Sequence, residues 1–137
     1  MVNSRLLQPQ EIEVFYVLPA IRRAMAMVMK EQGRSQREIA QILRVNESAV
    51  SQYMSSKRAA KITFDDSILK AIRETIPRLN SKQDLVKETQ HVLNLARNSR
   101  VVCGMHKKFA KFPVDCNPVE MGCLKGANIS ISYGETE

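Results

Sequence analysis

The sequence predicts an all-α fold of about five helices, followed by a small irregular C-terminal module. Two observations indicate the helices. Apolar residues recur at intervals of three and four along most of the first 98 residues, and Ser or Asn precedes several of these stretches where a helix cap belongs. A third observation sets the end of the chain apart, because all three cysteines lie in a segment with little periodicity. A chain of 137 residues is long enough for one modest core with an appendage.

The first helix is expected after a loose arm formed by residues 1–13. The apolar pattern begins near Val14, and Pro19 falls where the first turn of a helix accepts proline. Helical spacing then relates four apolar residues, which are Leu18, Ile21, Met25 and Val28. Gly33 is expected to end this helix, which would pack across the two short helices that follow.

Residues 35–58 predict two short helices joined by a tight turn. The first runs from Gln36 to Leu43, with Ser35 as its N-cap and Glu38 as the capping-box partner. Its inner face is apolar and consists of Ile39, Ala40, Ile42 and Leu43. The small alanine on this face suits a close crossing of two helices.

The second helix of the pair follows a turn formed by Arg44, Val45 and Asn46. Val45 is expected to point back into the gap between the helices, and Asn46 to cap the second helix. Three residues of that helix face inward, namely Val50, Tyr53 and Met54. Its outer face, close to its N-terminal end, carries Glu47, Ser48, Ser51 and Gln52.

This stretch resembles the helix-turn-helix of the Cro and phage-repressor (Xre-like) family of transcriptional regulators. The residues that fit are Gln36, Ala40, Val45, Ser48, Val50, Ser51 and the run Ser55, Ser56, Lys57 and Arg58. Arg44 departs from the pattern, because the family usually has glycine there and a left-handed non-glycine residue costs about 1 kcal/mol. An ordinary helical hairpin with no nucleic-acid role is the alternative interpretation.

The resemblance implies a DNA-binding domain over residues 1–62 that contacts an operator in double-stranded DNA. Ser35 and Gln36 are expected to hydrogen-bond phosphates at a helix N-terminus. The base edges would be contacted by Asn46, Glu47, Ser48, Ser51 and Gln52. Lys57 and Arg58, just past the recognition helix, are expected to bind the DNA backbone, and a dimer would read two half-sites.

The positive charge is concentrated in the part of the chain that contains the helical pair. The formal net charge is +7, with ten Lys and Arg against five Asp and Glu up to residue 61, and eleven against nine beyond it. This distribution fits a polyanionic partner. No apolar run approaches the length of a membrane span and no signal peptide is recognisable, so we expect a cytoplasmic protein without a membrane partner.

Two further helices are predicted over residues 63–98, which we interpret as a dimerisation segment. The first opens at Phe64 to Asp66, ends at Pro77 and has apolar positions Ile68, Leu69, Ile72 and Ile76. The second is capped by Ser81, reaches about Asn98 and carries the stripe Leu85, Thr89, Val92, Leu93 and Ala96. This stripe suits a dimer interface, but it could equally pack on its own domain.

Residues 99–137 contain a candidate metal-binding module with the spacing C-x2-H-x9-C-x6-C. The four candidate ligands are Cys103, His106, Cys116 and Cys123. Three thiolates and one imidazole suit either an iron–sulfur cluster, which the wide spacing favours, or a tetrahedral zinc ion. The layout is similar to that of cluster-sensing bacterial and archaeal regulators. Unpaired thiols without a metal are the remaining alternative.

Taken together, these patterns indicate a dimeric transcriptional regulator whose DNA binding responds to an iron–sulfur cluster. A regulator with purely structural zinc and a transcription cofactor that acts through protein contacts are the alternatives. An enzyme is not expected, because the sequence has no carboxylate pair, nucleophile elbow or phosphate-binding glycine loop.

Overall fold

The computed structural model describes residues 7–55 and 62–124, and within them it contains helices and turns but no strand. The all-α prediction is confirmed for this part of the chain. The elements in order are α1 (Pro9–Ile12), a π-helical turn (Glu13–Val17), α2 (Leu18–Glu31), α3 (Gln36–Leu43), α4 (Glu47–Met54), α5 (Asp66–Thr75), a 3₁₀ turn (Ile76–Arg78), α6 (Lys82–Asn98) and α7 (Val101–Ala110). None of these helices is long and apolar enough to cross a lipid bilayer.

The first helix begins at Pro9, so the prediction of a loose arm is wrong for residues 9–13. Pro9 stands at a first-turn position, and the Gln8 N–H donates to the Glu11 carboxylate over 2.9 Å. Ile12 is fully buried, which ties this turn to the core. The helix therefore starts on local capping signals that precede its apolar pattern.

A π-helical turn joins α1 to α2. The Leu18 N–H donates to the carbonyl of Glu13, five residues earlier. Pro19 has no N–H, and its ring would collide with a carbonyl four residues back in a regular α-helix, so a wider turn accommodates it. The helix ends at Gly33 as predicted, where φ is 86° and the Arg34 N–H donates to the Met29 carbonyl over 3.1 Å.

Helix α2 lies at the centre of the fold. It packs against α3, α4, α5 and α6, and its buried residues are Ala20, Ile21, Met25, Ala26, Val28 and Met29. A single apolar cluster extends from Ile12 to Val102 and so includes residues from all three predicted segments. The segments are therefore not separate cores.

The predicted helices of residues 63–98 are present as α5 and α6. Asp65 caps α5, whose Ile68 and Ile72 are buried together with Ile76, whereas Leu69 is 38% exposed. Ser81 caps α6 as predicted. Three residues of the α6 stripe are buried in the shared core, namely Val92, Leu93 and Ala96. That part of the stripe packs on its own chain, which was the second of the two expectations.

The C-terminal module is less irregular than predicted. Residues 101–110 form α7, which packs against α1 and α6 and buries Val102, His106 and Ala110. The rings of Tyr16 and Phe109 stack with centroids 4.9 Å apart. The apolar pattern of this segment is weak, so α7 depends for its stability on packing against two other helices. Residues beyond Lys111 form turns, bends and irregular chain up to Leu124.

The left-handed turn between α3 and α4 generates a first prediction. Arg44 has φ 57° and ψ 39°, so replacing it with glycine removes a left-handed cost of about 1 kcal/mol, partly offset by the greater freedom of unfolded glycine. We expect Arg44→Gly to raise the free energy of unfolding by about 0.5 kcal/mol, measured by urea denaturation.

Gln41→Gly provides the control, because Gln41 is exposed inside α3 and glycine there should cost about 0.7 kcal/mol. Equal shifts in the same direction for both variants would contradict the conformational explanation.

Candidate functional site

The first candidate site is the pair formed by α3 and α4. The predicted capping box is present: the Glu38 N–H donates to Ser35 Oγ over 3.1 Å, and the Ser35 N–H donates to Glu38 Oε1 over 3.0 Å. The Val45 N–H donates to the Ala40 carbonyl over 3.1 Å, which closes the turn after α3. The first helix and the three-residue turn have the predicted bounds, and the second helix begins directly after its predicted cap, Asn46.

The inner face of this pair also matches the prediction. Buried residues on the two helices are Ile39, Ala40, Leu43, Ala49, Val50 and Tyr53, while Ile42, Val45 and Met54 are partly buried against them. Ala40, 5% exposed, is the small residue where the helices meet. The pair is thereby fixed to α2, and its other face is left toward solvent.

The residues predicted to read bases lie at the start of α4. Glu47, Ser48 and Ser51 are exposed, and Gln52 is half-buried. Asn46 is exposed, but its Oδ1 accepts from the Ala49 N–H and from the Ser48 hydroxyl, both over 2.8 Å. Asn46 is therefore engaged as the cap of α4, and a contact of its side chain with DNA would come from its amide nitrogen.

The N-terminus of α3, predicted to bind phosphate, carries a carboxylate. The N–H and hydroxyl of Ser35, and then the charge of Arg34, lower the pKa of Glu38, which stays negative at neutral pH. Gln36 is exposed at the first position of α3, and Arg37 is exposed beside it. A phosphate at this end would therefore lie near the positive charges of Arg34 and Arg37 and the negative charge of Glu38.

Lys57 and Arg58, the predicted contacts with the DNA backbone, lie outside the described residues.

The second candidate site is a cavity of about 280 Å³ between α1, the end of α6, α7 and the segment after α7. All four predicted metal ligands line it, namely Cys103, His106, Cys116 and Cys123. Glu13 and Arg97 line it as well. Cys103 and Cys123, which are 20 positions apart in the sequence, thus line the same cavity.

The side chains around this cavity are not arranged as a metal site. In residues 7–55 and 62–124, no group of three or more His, Cys, Asp or Glu side chains has the geometry to hold a metal ion. The three cysteines form no disulfide. Partial burial, and then the proximity of Cys116 and Cys103, raises the pKa of the Cys123 thiol. That thiol is protonated at neutral pH, unlike the activated cysteines of redox sites.

His106 is buried in the cavity wall, 5% exposed. Its Nε2 hydrogen-bonds the carbonyl oxygen of Leu7, and its ring meets Phe112 edge-on with centroids 4.7 Å apart. The other histidine, His91, is exposed on α6. The structure therefore distinguishes the two histidines, and places the predicted ligand next to the start of α1.

An ion pair in the cavity wall was not predicted from the sequence. Arg97 Nε and Nη2 donate to the two carboxylate oxygens of Glu13 over 2.6 and 2.8 Å, and Arg97 Nη1 donates to Asn94 Oδ1 over 2.9 Å. The hydrogen bonds to Glu13 raise the pKa of Arg97. The Glu13 side chain is only 9% exposed, so the pair connects the π-helical turn to α6 away from most solvent. The two residues lie 84 positions apart, and no local pattern announces them.

Comparison of the chain with protein-family models, with curated proteins and with solved structures found no match. The likeness of residues 36–58 to the Xre-like family therefore remains a resemblance carried by those residues.

The buried ion pair generates a second prediction. Arg97→Ala leaves the Glu13 carboxylate without its bidentate partner in a poorly hydrated position, so we expect a loss of about 2 kcal/mol in the free energy of unfolding. Chemical denaturation at neutral pH measures it.

Arg73→Ala is the matched control, because its ion pair with Glu31 spans 3.0 Å with both side chains more than half exposed. It should cost less than about 0.5 kcal/mol. If both variants lost the same stability, the special contribution of the buried pair would be refuted.

Proposed function

We propose that the protein is a sequence-specific DNA-binding transcriptional regulator that acts in the cytoplasm, and not an enzyme. The observation that carries the proposal is the exposed polar start of α4, where Glu47, Ser48 and Ser51 stand on a helix whose other face is buried. A recognition helix presents its N-terminal residues to base edges in the major groove in this manner.

The geometry of the pair supports this reading over an ordinary hairpin. Both helices have eight residues, too short to be stable alone, and each is capped by a side chain and packed on α2. Such support fixes the outer face of α4 rigidly, which base readout requires. The surplus of basic residues in this part of the chain would add the non-specific attraction to phosphates.

We further propose that the regulator is a homodimer, because a two-fold operator matches a two-fold protein. The part of the α6 stripe that remains accessible lies in the N-terminal half of the helix. Leu85 and Thr89 are half-buried there and Val86 is 58% exposed, beside the partly buried Leu18 and Val45. This face of α6 is the apolar surface that a second copy would cover.

The cavity supports the proposal of an iron–sulfur cluster as the regulatory group. Its volume of about 280 Å³ corresponds to roughly nine water molecules, which exceeds what one metal ion requires. Cys103, Cys116 and Cys123 would supply thiolates, with His106 beside them. The bound group would draw residues 112–124 toward α7. Because α7 packs against α1, loss of the group would alter the position of α1 and, through it, of α2 and the helical pair.

A third prediction tests DNA recognition. An operator is selected from a random DNA pool with the wild-type protein, and binding of variants to it is measured across a salt series. Gln52→Ala should lose about 1–3 kcal/mol at one base position, because a glutamine side chain reads adenine through two hydrogen bonds. Lys57→Ala should instead weaken binding to every sequence and reduce the salt slope by about one.

Val114→Ala serves as the control, since Val114 is 90% exposed in the segment after α7. If the wild-type protein enriches no sequence and binds all DNA weakly, it acts as a cofactor through protein contacts. If it selects an operator that both variants bind normally, the docking of α4 is wrong.

A fourth prediction concerns the bound group. Protein purified without oxygen should be brown and contain iron and sulfide, and Ser substitutions of Cys103, Cys116 or Cys123 should abolish the visible absorption because they remove thiolate ligands. Stoichiometric zinc in a colourless protein would identify a structural site instead. If the protein contains neither metal, its proposed regulation by a bound cluster is refuted. DNA binding is tested separately by the operator-selection assay.

A further inference from the structure

A second cavity, of about 300 Å³, lies between one face of α7 and the segment that follows this helix. The helix side of its wall consists of residues at helical spacing, namely Arg100, Cys103, Gly104 and Lys107. The other side consists of residues 114–118, which include Cys116. The two cysteines therefore border the same space from opposite sides.

The segment after α7 is held against this face of the helix. Lys111 has φ 58°, and this left-handed residue ends α7. Lys107 Nζ donates to the carbonyl oxygen of Val114 over 2.9 Å. Lys107 lies about one helical turn after Cys103, and Val114 lies two residues before Cys116. The hydrogen bond thus fixes the segment beside the cysteine of the helix.

The third cysteine stands apart from this pair. Cys103 and Cys116 line the first cavity as well as the second, so the pair lies between the two spaces, whereas Cys123 belongs to the wall of the first. Partial burial, and then the proximity of the other two cysteines, raises the pKa of the Cys123 thiol, which makes it a poor nucleophile at neutral pH. Cys103 and Cys116 are both half-buried, so a small molecule from the solvent can reach them.

We propose that Cys103 and Cys116 are a redox modification site, at which a peroxide converts the two thiols into a reversible disulfide. The pairing concerns the metal-free protein and does not depend on the proposed cluster. It would close a loop between α7 and the segment that Lys107 already holds in place.

The reaction balances with hydrogen peroxide as the oxidant. The sulfur of one cysteine attacks a peroxide oxygen and the O–O bond breaks, which gives a sulfenic acid and one water molecule. The sulfur of the second cysteine attacks the sulfenic sulfur, so that the S–S bond forms, the S–O bond breaks and a second water molecule leaves. The protons of the two thiols complete the two water molecules. The sulfur atoms together lose two electrons, and the peroxide gains them.

The test is a titration of the reduced full-length protein with hydrogen peroxide in the presence of a metal chelator. Free thiols are then alkylated, and the protein is digested without reduction for mass spectrometry. Trypsin is combined with a protease that cleaves after glutamate, because Glu120 separates Cys116 from Cys123. We expect a peptide pair joined through Cys103 and Cys116, an alkylated Cys123, and recovery of both thiols on treatment with dithiothreitol.

The hydrogen bond between Lys107 and Val114 supplies a matched pair of variants. Lys107→Ala removes the bond that holds the segment, so the disulfide should form roughly fivefold more slowly. Lys108→Ala removes the same charge from the exposed neighbouring position, where the ammonium group lies over the ring of Phe109, and should react at the wild-type rate. Equal rates for Lys107→Ala and the wild type would contradict the positioning by this bond.

A second measurement needs no variant. A disulfide that fits the folded chain restricts the unfolded chain, so oxidised wild-type protein should unfold at a higher urea concentration than the reduced protein. A lower midpoint would show that the bond strains the fold and would count against the pairing seen in the structure.

The site of the linkage decides the proposal. A bond that includes Cys123, or one that joins two protein molecules, would overturn the pairing of Cys103 with Cys116. Oxidation of the thiols to sulfinic acids without any disulfide would overturn the modification site itself. None of these outcomes bears on iron content or on operator selection, which have their own assays.

Discussion

Burial of α2 is the constraint on which the rest of the structure depends. Ile21, Met25 and Met29 are fully buried, and α3 to α6 all pack on this one helix. Helices of eight residues such as α3 and α4 cannot form stably alone, because the cost of nucleation exceeds the gain from so few hydrogen bonds. Their orientation, and hence the surface that α4 presents, is inherited from α2. A substitution in α2 would therefore disturb the proposed DNA interface without touching it.

The continuous helix from Pro9 to Glu31 also relates the two candidate sites. Its first part contributes Glu13 to the cavity wall, and its second part supports α3 and α4. The π-helical turn lies between them, at the point where Pro19 prevents regular α-helical hydrogen bonding. Such wide turns are frequent at functional positions. The proposed coupling needs no long chain of side chains, since a single helix contacts both regions.

The sequence predicted the features that depend on residues close together in the chain, and it did not predict those that depend on residues far apart. Caps act within three residues, so the caps Ser35, Asn46 and Ser81, the bounds of α3 and the start of α4 could be predicted directly. The start at Pro9 also has local signals, the proline in the first turn and the cap between Gln8 and Glu11, but the apolar pattern begins later and placed the expected start of the helix near Val14. The bonds from Arg97 to Glu13 and from His106 to Leu7 join residues 84 and 99 positions apart, and only the folded chain brings them together. Helix α7 was missed for the same reason, because its stability comes from packing against α1 and α6.

The cavity lined by the three cysteines shows that residues can meet in one space without having the geometry of a metal site. Partial burial, and then the proximity of Cys116 and Cys103, raises the pKa of the Cys123 thiol, which expresses the cost of placing a negative thiolate at this position. A cation bound beside Cys123 would offset that cost. Rearrangement of the segment is inexpensive, because Pro118 is the one buried residue between Lys111 and Leu124. His106, by contrast, is buried and already oriented by Leu7 on a helix that packs against α1. The cavity thus combines one fixed side of α7 with an adaptable loop, an arrangement suited to a group whose binding closes the loop onto the helix.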